Sequence, residues 1–196
     1  MEGTGQTGLT GAYDDYLDLA RAVHAALNNA GTGDLPGADG RSARARVRWD
    51  RMGDMSDAFT TRVLHVTSGS EETVVDLTRD CEAFLREAAA GRDGLLSVFV
   101  PHATAGIAII ETGAGSDDDL LTALHTLLPA DDRWQHRHGS PGHGRDHVLP
   151  AIVPPHATLP VLNGRLELGT WQSVCLVDTN RDNPDRQVRL SFLAGS

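Results

Sequence analysis

The 196-residue sequence contains no lysine, so all 17 of its basic residues are arginines. This absence excludes three mechanisms that need a lysine amine: a Schiff base, the phosphate-binding lysine of a Walker motif and a desolvated lysine base. Acidic residues number 27, and the net charge of −10 is opposite to what binding to nucleic-acid phosphates requires. We therefore predict no nucleic-acid partner, and any phosphate ligand has to be met by arginine, metal or backbone.

Cysteine, aromatic residues and long apolar runs are also scarce. Cys81 and Cys175 lack the spacing of a zinc or redox motif, so each is expected to be a buried hydrophobic side chain. Aromatic residues make up 5% of the chain, which predicts an aliphatic core. No uncharged apolar run approaches the roughly 18 residues that span a bilayer, and the first residues lack the pattern of a signal peptide. We expect a cytoplasmic protein with no membrane partner.

The first 56 residues differ in character from the rest. Residues 13–29 place apolar side chains at helical spacing, residues 31–40 resemble a glycine-rich linker, and five arginines follow between Arg41 and Arg51. The arginines form either an anion-binding patch or, as short charge runs more often do, a solvated strip or a partner for the chain's own carboxylates. We predict an N-terminal extension over residues 1–56 and one folded domain over residues 57–196.

Strand-like and helical patterns alternate after residue 57. Periodicity predicts helices at 78–90, capped by Thr78, and at 117–128, preceded by a Ser116–Asp119 capping box. The predicted strands are 59–66, 95–100, 107–110, 158–161, 165–168, 171–178 and 188–193. The continuous apolar runs at 95–100 and 107–110 are typical of strands covered on both faces, and Asn163-Gly164 predicts a β-hairpin. The pattern is that of an α+β domain dominated by strands.

Five of the nine histidines fall between residues 136 and 156, and the segment that carries the first four has no hydrophobic period. They are His136, His138, His143, His147 and His156. Neutral imidazole is a common protein ligand for zinc and related ions, so a divalent metal site is one interpretation. A hydrophilic loop whose histidines have no role gives the same composition, because a His-rich tract specifies no geometry. The residues alone leave both interpretations open.

Two further segments carry groups suited to a site. His102 follows the predicted strand 95–100, at a strand-to-loop transition of the kind that often holds functional side chains, and Glu111 follows the run 107–110. After the predicted hairpin, Thr170 and Gln172 flank a tryptophan and offer uncharged groups that suit ligand orientation better than proton transfer. Each also has a structural interpretation, as a core-edge histidine or as part of a hairpin with a core tryptophan.

Taken in order, these motifs resemble the YjbQ family, also called secondary thiamine-phosphate synthase, over about residues 57–195. The resemblance rests on an Asp-Leu-Thr helix start, a His-x-Thr-Ala motif with a glutamate nine residues after its histidine, two histidines with ten residues between them, and a Gly-Thr-Trp-Gln signature followed by an acidic and a basic position. The matching residues are Asp76, Leu77, Thr78, His102, Thr104, Ala105, Glu111, Asp119, His136, His147, Pro160, Gly164, Arg165, Gly169, Thr170, Trp171, Gln172, Asp178 and Arg186.

The resemblance implies a mixed β-sheet barrel or sandwich with two helices packed outside, assembled as a homotrimer. It implies a pocket in which His102, His136 and His147 bind a divalent metal ion, with zinc as the expected ion. The catalytic residues would be Glu111 and His102, and a phosphorylated small molecule would be bound by Thr104, Thr170, Gln172 and Arg186. His138 and His143 are expected to be bystanders, whereas His156, which stands where the family usually has serine, is left open.

The implied activity is weak thiamine-phosphate synthesis, in which hydroxymethylpyrimidine diphosphate and thiazole phosphate are joined and pyrophosphate is released. Weak activity has a physical reason, because a diphosphate is normally met by magnesium at carboxylates, whereas imidazoles prefer softer ions. The alternative is a non-catalytic homotrimer that binds a metal or a small anion. A third hypothesis is an interaction protein that acts through its extension and has a vestigial site.

Overall fold

The structure is a computed structural model that describes residues 58–195 and, before them, two strands. The strands are β1 (Ala30–Gly31), β2 (Val47–Met52), β3 (Phe59–Thr67), β4 (Thr73–Asp76), β5 (Gly94–Phe99), β6 (Ala105–Ile110), β7 (His156–Leu162), β8 (Arg165–Leu166), β9 (Ser173–Asp178) and β10 (Asp185–Ala194). The helices are α1 (Thr78–Ala88) and α2 (Ser116–Leu127), and 3₁₀ turns lie at His143–Arg145 and Leu149–Ala151. Among the described residues, no helix is long and apolar enough to cross a membrane.

The strands form two sheets. The larger is curled into a half-barrel with the order β1-β2-β3-β10-β5-β7-β8, and the smaller has the order β4-β9-β6. The long strand β10 pairs with β3 on one side, where Val188 is opposite Leu64, and with β5 on the other, where Leu190 is opposite Val98. The α+β class is confirmed, and each described strand pair is antiparallel where the resemblance implied a mixed sheet.

The main core lies between the two sheets and α1. Successive strand residues point to opposite faces, so alternate residues of β3, β5 and β10 enter it. Leu64, Val98 and Leu190 from these strands and Phe84 and Leu85 from α1 are fully buried. The described core is mainly aliphatic, as the composition predicts.

A smaller apolar cluster fixes the histidine segment. Leu124 of α2 and Leu128 just beyond it pack with Leu149, Val153 and Val177. Leu149 belongs to the second 3₁₀ turn, directly after the histidines, and Val177 belongs to β9 of the smaller sheet. The segment between α2 and β7 is therefore anchored at both ends by buried side chains.

Three local predictions are wrong. Thr78 does not cap α1 with its own hydroxyl, because Thr78 Oγ1 accepts a hydrogen bond from β9 while its backbone N–H donates to Asp76 Oδ1 at 2.8 Å. The capping box of α2 does not form, since the helix begins at Ser116 itself and has no side-chain cap. Strand β5 is not covered on both faces, because Leu95 is 44% exposed, as an antiparallel sheet allows.

The other predicted elements in residues 58–195 are confirmed with shifted ends. The predicted strand 171–178 begins only at Ser173, because the preceding residues form a turn in which Gln172 N–H donates to Gly169 O at 2.9 Å. Strand β4 is missing from the sequence prediction, since four residues are too few to show a period. The predicted hairpin is confirmed: Asn163 and Gly164 both have positive φ, which matches a two-residue turn between β7 and β8.

Residues before 58 contribute to the larger sheet. Strand β2 runs antiparallel to β3, with Val47 opposite Val66. A segment predicted as part of the extension therefore adds a strand to the larger sheet, beside β3. Part of the arginine cluster, including Arg48 and Arg51, therefore lies in a strand. The predicted helix at 13–29 and most of the predicted linker at 31–40 lie outside the described residues.

Candidate functional site

Four histidine side chains converge in the loop between α2 and β7. They are His136, His138, His143 and His147, and each offers one ring nitrogen within 4.8 Å of those of the other three. The ring centroids of His136 and His147 are 4.0 Å apart, and the Nε2 atoms of His143 and His147 are 2.9 Å apart. Across residues 58–195 this is the one group of three or more His, Cys, Asp or Glu side chains with such convergence.

Two glycines allow the loop to bring these rings together. Gly139 adopts φ +85°, and a Cβ at this position would lie 2.6 Å from Asp182 Oδ2 and 2.9 Å from His143 Cγ. A Cβ on Gly144 would lie 2.5 Å from the backbone oxygen of His136. Any side chain at either position would push the loop apart, so the glycine-rich composition has a packing cause at these two residues.

A buried ion pair anchors the segment that carries the histidines. Arg145, which is 4% exposed, pairs with Glu72, and its Nη1 donates to the backbone oxygen of Leu128 at 3.2 Å. Glu72 also contacts His125 Nε2 at 2.5 Å and Arg181 Nη2 at 3.2 Å. Burial alone would raise the pKa of Glu72, but hydrogen bonds from Arg145 and His125 outweigh it and hold the pKa below its usual range. Glu72 thereby joins α2 to the histidine loop.

A second set of polar contacts fixes the loop to the turn after β9. Asp146 accepts hydrogen bonds from Thr179 Oγ1 at 2.8 Å and from Asn180 Nδ2 at 3.1 Å. Burial raises the pKa of Asp146 despite these bonds. Asp182 accepts from the backbone N–H of Ser140 at 3.0 Å and lies 2.8 Å from His143 Nδ1. The loop is thus hydrogen-bonded to residues about 35 to 40 positions later in the chain.

The surroundings of His136 and His147 favour their neutral forms. Desolvation and the charges of neighbouring histidines both lower the pKa of His136 and of His147. Neutral imidazole has the free lone pair that a metal ion needs, so the lowered pKa of both rings favours the ligating form.

An open pocket of about 270 Å³ borders the group. Its lining includes His136, His138 and His143 together with Trp134 and Arg137. A small molecule that entered the pocket would meet imidazole, indole and guanidinium groups, and the carboxylates of Asp131 and Asp132 as well.

His102, the third predicted metal ligand, is not a member of this group. Its Nε2 accepts a hydrogen bond from the backbone N–H of Gln187 at 3.0 Å, and its Nδ1 faces Arg186 Nη1 at 3.4 Å. Burial and the Arg186 charge lower the pKa of His102. The single chain therefore brings together His136 and His147 and adds His138 and His143, which sequence reasoning set aside. His102 lies outside the group, and its Nε2 lone pair is engaged by the backbone N–H of Gln187.

Arg186, the predicted phosphate ligand, is held in an ion pair. It is 1% exposed, and its Nε and Nη2 donate to the two carboxylate oxygens of Asp178 at 2.6 and 2.8 Å. Asp178 Oδ2 also accepts from Ser68 Oγ at 2.6 Å. Two of the three guanidinium nitrogens are thus occupied, and the third faces His102, so in the single chain this arginine connects β9 and β10.

The remaining predicted site residues lie at the ends of the smaller sheet. Glu111 is half-buried just after β6, Thr104 is buried just before it, and Gln172 Oε1 accepts from the backbone N–H of Gly169 at 2.8 Å. Thr170 is exposed in the same turn, and Trp171 is 72% exposed, which excludes a core tryptophan in the single chain. None of the hydrogen bonds described for residues 58–195 joins these side chains to the histidine group.

His156 pairs with Phe99 in the larger sheet and is outside the group. Sequence reasoning also missed three residues that support the group: Glu72, Asp146 and Asp182. Their one sequence signal is acidic character, which 27 residues of this chain share. For Asp182, an N-R-D-N-P segment predicts only a turn.

Comparison with known proteins assigns the domain. A family model described as UPF0047 protein YjbQ-like matches residues 62–195. The chain belongs to the YjbQ family. A UPF0047 protein of Mycobacterium tuberculosis is 59% identical over 135 residues, which cover 69% of this chain and 98% of that protein. The UPF0047 protein YugU of Bacillus subtilis is 34% identical over 118 residues, 58% of this chain and 84% of its own length.

Solved structures share the fold. A hypothetical protein from Aeropyrum pernix K1 has a TM-score of 0.62 and 31% identity, covering 69% of this chain and 99% of that chain. A YbjQ-like protein of unknown function from Sulfolobus solfataricus P2 has a TM-score of 0.65 at 23% identity, covering 70% and 98%. The YjbQ fold therefore occupies about two thirds of this chain.

We predict that Glu72→Gln lowers the free energy of unfolding by about 3 kcal/mol at pH 7, because buried Arg145 loses its closest carboxylate. The matched control is Glu87→Gln, which breaks the exposed pair between Arg62 Nη2 and Glu87 Oε2 (2.6 Å) and is expected to cost less than about 1 kcal/mol. Urea denaturation measures both changes. Equal effects of the two substitutions would contradict the importance of the buried pair.

The same pair predicts a pH dependence. The folded-state pKa of Glu72 lies below its unfolded value, so its stabilising contribution is complete above the unfolded pKa of about 4.3 and is lost as the pH falls through the folded pKa. The stability difference between wild type and Glu72→Gln should therefore shrink below about pH 4.

Proposed function

We propose that this YjbQ protein binds a divalent transition-metal ion through His136, His138, His143 and His147. The observation that carries the proposal is the convergence of four imidazole nitrogens within 4.8 Å. An all-imidazole donor set suits zinc, copper, iron or nickel and not the hard cations magnesium and calcium. Zinc is the ion we expect, since four nitrogen donors match its tetrahedral preference.

The dimensions of the group support one ion. Nitrogen ligands at about 2.0–2.1 Å from a tetrahedral ion are about 3.3 Å from one another. The separation of 2.9 Å between the Nε2 atoms of His143 and His147 is slightly shorter, and the 4.8 Å limit of the group is longer. His136 and His138 are exposed, so small rotations of their side chains can adjust these distances.

We predict that the purified protein binds one zinc ion per chain, and that His136→Ala and His147→Ala each weaken binding more than about tenfold by removing a ligand. Equilibrium dialysis with metal analysis measures the affinity. His156→Ala is the control, since this histidine lies outside the group. Unchanged binding in both ligand variants would refute the assignment.

We also propose a second and more specific function, weak thiamine-phosphate synthase activity. In this reaction hydroxymethylpyrimidine diphosphate and thiazole phosphate are joined and pyrophosphate is released. The pocket of about 270 Å³ beside the histidines favours it, because Arg137 there offers a guanidinium to a phosphate in a chain without lysine. A divalent ion held by the four histidines would supply Lewis acidity if a ligand oxygen joined it as a fifth ligand. The alternative to this enzymatic function is a non-catalytic protein that binds a metal or a small anion.

In this proposal the other predicted site residues act across subunits. His102 and Glu111, the predicted catalytic pair, lie outside the histidine group of their own chain, so we infer that the homotrimer brings them to a partner's pocket. The 72% exposure of Trp171, in the signature that holds Thr170 and Gln172, supports an interface there. The homotrimer stays a prediction, as does a cytoplasmic location.

We predict slow formation of thiamine phosphate by the zinc-loaded protein, measured by chromatographic detection of the product. His136→Ala is expected to lower the rate through weaker zinc binding, and Glu111→Gln is expected to lower it through loss of the carboxylate with zinc content unchanged. A wild-type rate equal to the rate without protein would contradict catalysis and favour the non-catalytic alternative.

A further inference from the structure

His143 differs from the other histidines of the group in its surroundings. It is 8% exposed, whereas His136 and His138 are exposed. Its Nε2 faces the group, 2.9 Å from His147 Nε2. Its Nδ1 lies 2.8 Å from Asp182 Oδ2 and 2.9 Å from Asn180 Nδ2. One ring nitrogen is thus placed between a hydrogen-bond acceptor and a donor.

The orientation of the Asn180 amide is fixed by its own hydrogen bonds. Asn180 Oδ1 accepts from the backbone N–H groups of Asp182 at 3.1 Å and Asn183 at 3.0 Å, so its Nδ2 faces His143 and Asp146. A neutral imidazole can either accept at Nδ1 from Asn180 or donate from Nδ1 to Asp182. These two arrangements are the two tautomers of His143.

The carboxylate favours the second tautomer. A hydrogen bond to an ionised carboxylate is roughly twice as strong as one between neutral groups. Asp182 is also held in place, since its Oδ2 accepts from Ser140 N at 3.0 Å and from Ser140 Oγ at 3.2 Å. With the proton on Nδ1, the lone pair of His143 is on Nε2, which points toward the other imidazoles. In the first tautomer that nitrogen carries a proton and cannot bind a metal.

We propose that Asp182 is a positioning residue for the metal group, which accepts the Nδ1–H of His143 and so directs the Nε2 lone pair toward His136, His138 and His147. This inference rests on the metal binding proposed above. Gly139 is part of the arrangement, because a Cβ there would meet both the carboxylate and the His143 ring, at 2.6 and 2.9 Å. Carboxylates that orient metal-binding histidines in this way strengthen the affinity of a site.

The test compares Asp182→Asn with Asp132→Asn. The first keeps the shape of the side chain, removes its charge and places an amide that can donate to His143 Nδ1. The second removes the same charge from Asp132, an exposed residue that lines the pocket beside the histidines. Zinc Kd values from competition with a chelator are expected to rise about 10–100-fold in Asp182→Asn and less than about threefold in Asp132→Asn, because an exposed charge is screened by solvent.

A second readout separates positioning from loss of structure. Long-range ¹⁵N–¹H spectra of the metal-free full-length protein report which ring nitrogen of His143 carries the proton. Wild type is expected to show the Nδ1–H tautomer and Asp182→Asn a shift toward Nε2–H. Gly139→Ala leaves every charge in place and is expected to weaken zinc binding as well, since its Cβ separates Asp182 from His143.

The outcomes distinguish the two proposals. If His136→Ala abolishes zinc binding while Asp182→Asn changes neither the Kd nor the tautomer, the positioning role is refuted and the metal site stands. If the wild-type protein binds no zinc, both proposals are overturned. A Kd increase of equal size in Asp182→Asn and Asp132→Asn would assign the effect to charge alone and refute positioning.

Discussion

The histidine loop depends on the buried pair between Arg145 and Glu72. Arg145 lies between His143 and His147 in the chain and shares a 3₁₀ turn with His143, so the pair with Glu72 anchors the backbone that carries both imidazoles. Glu72 reaches this position from just before β4 and also holds His125 of α2. A loop with little regular secondary structure thereby gains a defined shape from charges that are costly to separate once buried.

Hydrogen bonds from residues after β9 also hold the histidine loop in this conformation. Thr179 and Asn180 bond Asp146, and Asp182 bonds Ser140 and His143. Glycine at 139 and at 144 lets these groups approach without side-chain clashes. The convergence of four imidazoles is therefore a property of the folded domain, and the histidine-rich composition alone could not produce it. The same supports leave His136 and His138 exposed beside an open pocket, where a ligand can enter.

Much of the fold is predictable because burial leaves a local trace in the sequence. Strand β3 and helix α1 alternate or repeat apolar residues with the period of their geometry, and Asn163-Gly164 specifies its turn chemically. Features set by distant contacts were not predictable. The hydroxyl of Thr78 bonds β9 and not its own helix, and the exposed face of β5 follows from the pairing of the sheet.

The site shows the same division. The resemblance to the YjbQ family implied His136 and His147, whereas His138 and His143 were expected to be bystanders. His143 is held in the group by contacts with a turn some 40 residues away. Arg186 and Asp178 were both singled out, yet only the structure shows that they pair with each other. A local motif in the sequence can indicate that a residue is functional. It does not show which buried residue of opposite charge forms an ion pair with it.

Convergence of four imidazoles on one ion is tested most directly by X-ray absorption spectroscopy at the zinc edge of the loaded protein. Four nitrogen ligands at about 2.0 Å, with the multiple scattering typical of imidazole, are the predicted result. A zinc shell dominated by water or carboxylate oxygens, with one imidazole or none, would contradict it.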